Sequence, residues 1–432
     1  MGCIASFSDT PAVNQTRKSL DVEQHITNSL SFMDAINSGY SQPTDGTYRP
    51  TQSPQADSTT GWLPVLHLYE FRDTAPASQA SVADQQTIAR NRVLSDARNK
   101  LSGNDLQQFQ ANMSAFEQRA SQKHLAPDTV AQVYAQVAQL FEKPAKVEHP
   151  ERIAQSIMQY AANPSRIDQG LHPTCAIDAL EKETFAHKPA LAASMIASVA
   201  LTGVWTSTDG KTIDVGKFPD NLKPGDEESG WPTKDGDRSM ASQLFQATAL
   251  NDIGLHLNPP RYYDEGRPFP GIMNTVVAYV LPFMSSERWR NADGSDDGTF
   301  DGTDLTWLND ETKRLLGTAD VLVTDTKNDG VQVTSADELR RTIQNAASNN
   351  QMPLAVGLNA EDPEISYGPN HLPYFLNWII GRIQDPFGNE NHVLTIDDYD
   401  AASDSVMVHN NWGSQNDHRL AVSDLYRAIS GA

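Results

Sequence analysis

Of the two cysteines among the 432 residues, one stands where a thiol can act as a nucleophile. Cys175 follows the loop Gln169-Gly170-Leu171-His172-Pro173-Thr174 and precedes Ala176-Ile177-Asp178-Ala179-Leu180-Glu181, which reads as a helix with Thr174 at its N-cap. A thiol at a helix N-terminus feels the positive end of the macrodipole, which favours the thiolate and lowers the cysteine pKa. A lone cysteine is otherwise a small buried hydrophobe, so the surrounding residues decide. Gln169 lies six residues upstream, where a side-chain amide can share a developing oxyanion with the Cys175 N–H. Far downstream, His392 opens one strand and Asn410 closes its partner eighteen residues later. Across such a hairpin the Asn410 amide can reach the imidazole and fix its tautomer while the other ring nitrogen faces the thiol. Together these residues suit acyl transfer through a thioester.

The elements that must position them are legible in part. His392-Val393-Leu394-Thr395-Ile396 and Val406-Met407-Val408-His409-Asn410 read as two strands joined by the Asp/Ser-rich turn between Asp397 and Ser405. His409 would then point to the opposite strand face from Asn410, and His371 sits in a loop with no following strand, so His392 is the preferred base. Ser335 with Glu338 fits a capping box opening a helix to about Ala347, after which Pro353 to Leu358 reads as a strand. Upstream, Val130, Val133, Tyr134, Val137, Leu140 and Phe141 recur at helical spacing after Pro127 and Asp128; further helices are expected over about 80–101, 104–122 and 149–162. Residues 1–76 are polar and read as a flexible arm, with one apolar island from Trp62 to Tyr69. Three regions follow: the arm, a helical accessory or propeptide-like region over 77–165, and a mixed α+β catalytic domain over 166–432.

Gln-x5-Cys at a helix start, followed by a strand-initial His and by Asn410-Asn411-Trp412-Gly413, resembles the papain-like cysteine peptidases, including their calpain-type branch or an uncharacterised bacterial branch. The resemblance implies a two-lobed α+β domain, with the cleft between the Cys175 helix and the sheet of His392 and Asn410. It makes Cys175 the nucleophile, His392 the general base, Asn410 the orienting amide and Gln169 the oxyanion residue, with Trp412 shielding the His–Asn pair. It implies hydrolysis of a protein or peptide substrate, with no cofactor required. The chain departs from the pattern in lacking Trp after Cys175 and in a Cys-to-His interval of 217 residues, which implies insertions over the cleft. His172 replaces the usual small residue and is expected to be a solvated loop histidine. Two rivals stand beside the peptidase: a transglutaminase or deamidase acting on Gln side chains, whose third residue is usually Asp, and an inactive papain-like binding protein.

Two weaker patterns remain. Asp293, Ser295, Asp297, Asp301 and Asp304 occupy positions 1, 3, 5, 9 and 12 of an EF-hand-like loop with Gly298 at position 6, which makes a calcium site an expectation; Asp325 to Gly330 is superficially similar and reads as a turn. Met1-Gly2-Cys3-Ile4-Ala5-Ser6 fits N-myristoylation at Gly2 with palmitoylation at Cys3, hence anchoring at a membrane surface. A polar arm with that motif resembles bacterial effectors delivered into host cells, cytoplasmic or secreted; a bacterial lipoprotein with a truncated signal is the alternative. Lys+Arg 33 against Asp+Glu 55 gives a net charge of −22, which repels phosphate backbones over most of the surface, so nucleic acid is excluded as a partner. Two cysteines so far apart build no disulfide framework, and no apolar run is long enough to span a membrane or to serve as an ordinary export signal.

Overall fold

The apolar positions recurring between Val130 and Phe141 form the buried face of a helix, α3 (Thr129–Glu142). The computed structural model describes residues 81–170, 172–224, 236–266, 287–300, 302–317, 321–323, 330–359, 391–411 and 413–430. Three more helices surround α3: α1 (Val82–Lys100), α2 (Gly103–Gln122) and α4 (Pro150–Ala162). The start of α1 is fixed by Ser81, which accepts from the Asp84 N–H while the Asp84 carboxylate accepts from the Ser81 N–H. α1 packs on α3 and α2 on α4, and Phe109 of α2 meets Phe141 of α3 edge to face, ring centroids 5.6 Å apart.

Behind this layer lie α5 (Cys175–His187), α6 (Pro189–Thr202) and α7 (Met240–His256). Every residue of α5 from Ala176 to Ala186, and of α7 from Met240 to Gly254, is buried. A helix buried all round has protein on every side and no amphipathic stripe. A Cβ at Gly254 would come 2.3 Å from the Arg261 carbonyl, so α7 needs glycine where the chain returns towards β3 (Tyr262–Asp264). That strand pairs antiparallel with β4 (Arg288–Arg290), and β4 with β5 (Asp296–Thr299). A separate hairpin joins β1 (Val204–Thr206) and β2 (Thr212–Asp214).

The principal sheet has six strands in the order β11-β10-β9-β8-β6-β7: β6 (Leu322–Val323), β7 (Val331–Gln332), β8 (Leu354–Asn359), β9 (Asn391–Asp400), β10 (Ser405–His409) and β11 (His418–Ala421). Pairing is antiparallel from β8 to β11 and parallel between β6 and each of β7 and β8. Alternation along the strands separates two cores. Ala355 and Val393 join the large core of the helical layers and α5, while Leu354, Val356, Leu394 and Ile396 face α9 (Ala336–Ser348) and α10 (Val422–Ser430). The large core runs without a break from Val93 in α1 to Val393 in β9. α8 (Leu305–Leu316) packs against α5 and α7.

The class is α+β, as the sequence implies. At the start of α9, Ser335 accepts from the Glu338 N–H as expected, but the Glu338 carboxylate reaches one residue further and accepts from the Thr334 N–H at 2.8 Å. The polar arm with its apolar island, Gly2 and Cys3, and His371, Trp412, Asp301 and most of the 325–330 turn lie outside the described residues. Among the described residues no helix is long and apolar enough to cross a membrane.

Candidate active site

Cys175 is the first residue of α5 and is partly buried. The helix opens with the Asp178 N–H donating to the Thr174 carbonyl at 2.8 Å. Thr174 contributes no side-chain cap, and its buried hydroxyl oxygen has no hydrogen-bond partner among the described residues. Gly170 turns the preceding loop at φ +63°, a conformation that favours glycine. Gln169 is buried. Its backbone N–H donates to the Asn411 carbonyl at 2.9 Å, and its Nε2 donates to the His172 carbonyl at 2.7 Å. An amide nitrogen carries two N–H groups, so one is committed to the loop.

His392, at the start of β9, donates from Nε2 to Asn410 Oδ1 at 3.4 Å, just past the end of β10. Because Oδ1 can only accept, the proton of the neutral ring lies on Nε2 and the lone pair on Nδ1. Asn411 ties the segments together. Its Nδ2 donates to the Cys175 carbonyl at 2.9 Å and to the Val393 carbonyl at 2.8 Å. Its Oδ1 accepts from Lys182 Nζ at 2.8 Å, and Lys182 pairs with Asp178 one turn back along α5 at 3.0 Å. One side chain thus holds the peptide group of the thiol residue and the one following the imidazole residue.

Burial drives the His392 pKa down to about 4; the Asn410 bond opposes the shift and the Lys182 charge adds to it. The ring is therefore neutral through the neutral pH range. His409 behaves oppositely. Burial alone would depress it, but Nε2 lies 3.1 Å from Asp397 and Nδ1 2.7 Å from Asp417, and those bonds and charges raise it to about 9. The other Asp417 oxygen accepts from the Asn410 N–H at 3.2 Å, so the imidazolium braces the strand end that presents Asn410. On α5, burial pushes the Glu181 carboxyl well above its usual range.

His172 is not the solvated loop histidine expected. Its Nδ1 donates to Glu287 at 3.0 Å, with Glu265 at 3.7 Å. Glu265 is ion-paired with buried Arg238, and the Tyr263 hydroxyl lies 2.8 Å from Glu287 and 3.0 Å from Glu265. His172, Glu265 and Glu287 have the spacing of a metal-ligating trio, but Arg238 already brings a cation to the two carboxylates.

Of the calcium-loop residues, Asp301 lies outside the described residues, and three of the others are engaged separately. Asp293 accepts from the Ser295 N–H and hydroxyl in the turn between β4 and β5, Asp297 pairs with Arg261 at 2.7 Å, and Asp304 caps α8 through the Thr306 N–H at 2.7 Å. Among the described residues these three carboxylates form no metal-ligating group. The EF-hand spacing is here a tight hairpin followed by a helix cap, two structures that use Asp and Gly for the same turn-forming reasons.

No protein-family model, curated protein or solved structure matches the chain.

Of the four residues expected to act together, His392 and Asn410 are in direct contact, and Gln169 and Cys175 are each bonded through the backbone to Asn411. Sequence reasoning missed Asn411 and Lys182. The signal was an Asp178/Lys182 pair at i, i+4 inside a run that is otherwise mostly buried, a spacing that favours an ion pair, and a doubled Asn after a strand.

Proposed function

We propose that the chain is a cysteine-nucleophile hydrolase of peptide bonds, built on a papain-like two-lobed arrangement and acting on a protein or peptide substrate. The observation that carries this is the Asn411 clamp: its amide donates to both the Cys175 and the Val393 carbonyls, so the thiol residue and the strand of the imidazole are anchored to one nitrogen. A nucleophile and its base need such fixed proximity.

In the proposed reaction His392 Nδ1 takes the Cys175 proton as the sulfur attacks the substrate carbonyl carbon. The oxyanion is held by the Cys175 N–H and by the Gln169 N–H not given to His172. Collapse breaks the C–N bond, and the protonated imidazole gives its proton to the leaving amine. Water, deprotonated by the same ring, then attacks the thioester and restores the thiol. Asn410 keeps Nε2 protonated and so leaves Nδ1 basic. The Nδ1 lone pair of His392 is unprotonated, and so open to a proton, at any pH well above about 4.

The test is labelling with an epoxide-type cysteine-peptidase inactivator, read by intact mass, on the native chain and on His392→Ala. Rapid single labelling at Cys175 that is lost in the variant is expected. Slow labelling indifferent to His392, or modification at Cys3 alone, would overturn the proposal. A labelled enzyme that releases ammonia from glutamine side chains without creating new chain termini would move it to the deamidase class.

A further inference from the structure

A cavity of about 290 Å³ opens between the end of α2, the residues after α4, helix α5 and strands β8 to β10. That volume is near the lower end of the roughly 300–1,000 Å³ spanned by small-molecule sites. Neither Cys175 nor His392 lines it. Its wall carries four basic side chains, Arg119, Lys123, Lys182 and His409, against two acidic ones, Asp397 and Asp398, in a chain whose net charge is −22.

Both acids already have cationic partners, Asp397 in His409 at 3.1 Å, which it shares with Asp417, and Asp398 in Arg419. Lys182 is paired with Asp178. Arg119 and Lys123, one turn apart at the end of α2, have no carboxylate partner among the described residues. Arg119 instead donates to the carbonyls of Ala161, Phe185 and Ala186 at 2.6, 3.0 and 2.6 Å, where α4 and α5 end. Those three bonds leave up to two of the five guanidinium N–H groups for another acceptor. The carbonyls carry partial charges only, and burial pulls the Arg119 pKa down to about 10, as it does for a cation short of a full counter-charge. Two cations without carboxylates beside a polar cavity are the complement of a multiply charged anion.

The geometry points to this cavity as a binding site for a small multiply charged anion of phosphate or carboxylate type. The site is separate from the catalytic residues but shares Lys182 with their Asn411 clamp. It stands whether or not the chain is a peptidase.

The experiment is thermal unfolding of the full chain near pH 7 with sodium pyrophosphate and with trisodium citrate, each against sodium chloride at equal ionic strength, for the native chain and Lys123→Glu. Lys123 is half-exposed, and its carbonyl rather than its side chain accepts from Asn350, so the variant should fold and melt like the native chain in sodium chloride. At least one anion is expected to raise the native midpoint saturably, with the dissociation constant at least tenfold weaker in Lys123→Glu. Whichever anion binds tighter identifies the group recognised. A rise no larger than that in matched chloride, or the same rise in Lys123→Glu, would show general screening of the acidic surface and overturn the site.

Discussion

The depressed pKa of His392 makes stability depend on pH in a way that one substitution removes. In the fold the ring titrates at about 4, against 6.5 when it is unperturbed. Burial favours the neutral form, so the unfolded chain takes up this proton first as pH falls. Stability is then lost from about pH 6.5 down to about pH 4, at roughly 1.4 kcal/mol per pH unit once well inside that window. Between pH 7 and pH 5 His392 alone removes roughly 2 kcal/mol. His392→Gln has a side-chain amide that can still donate towards Asn410 but does not titrate, and the other ionisable groups remain in both chains. Urea unfolding of both proteins at pH 7 and pH 5, at one ionic strength, isolates the effect by subtraction. The native chain should lose about 2 kcal/mol more than the variant. Parallel losses, equal within about 0.5 kcal/mol, would mean that the imidazole titrates near its ordinary value, and would refute both its desolvation and its role as a base that rests neutral.

Three further outcomes follow from named contacts. Asn411→Ala removes the side-chain bonds to the Cys175 and Val393 carbonyls and one partner of Lys182; at about 0.5–1.5 kcal/mol for each bond between neutral groups and about 1.5–3 kcal/mol for the one to the ammonium, it should lose several kcal/mol in urea unfolding and label slowly at Cys175. A folded variant that labels at the native rate would contradict the clamp. His409, raised to about 9, stabilises as the imidazolium, fully below about pH 6.5 and fading as pH rises through 9, so His409→Gln should be about 3 kcal/mol less stable at pH 6 and close to native at pH 9.5. Millimolar calcium chloride should leave the thermal midpoint unchanged, because the Asp293, Asp297 and Asp304 carboxylates serve a turn, an ion pair and a helix cap; a calcium-dependent rise abolished by Asp293→Asn would restore the loop.

Elements with one buried and one wet face were readable from spacing. The stripe from Val130 to Phe141 and the start of α9 at Ser335 both carry local signals, because burial on one side imposes a period and an exposed terminus needs a cap. α7 was unreadable for the opposite reason: with Met240 to Gly254 buried on all sides, polar and apolar residues alternate without a stripe. β6 and β7 span two residues each and carry no period at all. In the site, Cys175, His392 and Asn410 are marked by residue type and by their places at element ends. Asn411 is marked only by standing second in a doubled Asn, since two of its side-chain partners lie on α5 and one on β9, and no local spacing encodes them.

The ionisable side chains of α5 show what full burial of the nucleophile helix accomplishes. Asp178, Glu181, Lys182 and Glu183 are all buried, and unpaired polar groups in such surroundings cost several kcal/mol. Asp178 pairs with Lys182 along the helix, and the other three are bonded outward in different directions. Lys182 reaches Asn411 beside the sheet, Glu183 accepts from the Ala355 N–H of β8 at 2.6 Å, and Glu181 lies 3.1 Å from Ser242 and 3.4 Å from Gln246 of α7. Apolar packing alone tolerates small slides of one helix past another, because it is not directional. Hydrogen bonds at these lengths do not, since they weaken steeply with misalignment. Three such anchors fix α5 along its axis and about it, and so fix the position of Cys175 at its end relative to β9. The same reasoning explains why the clamp is an asparagine: a residue that must donate to two carbonyls and accept from an ammonium needs both a side-chain N–H2 and a side-chain oxygen, which an aspartate or an aliphatic of equal size lacks.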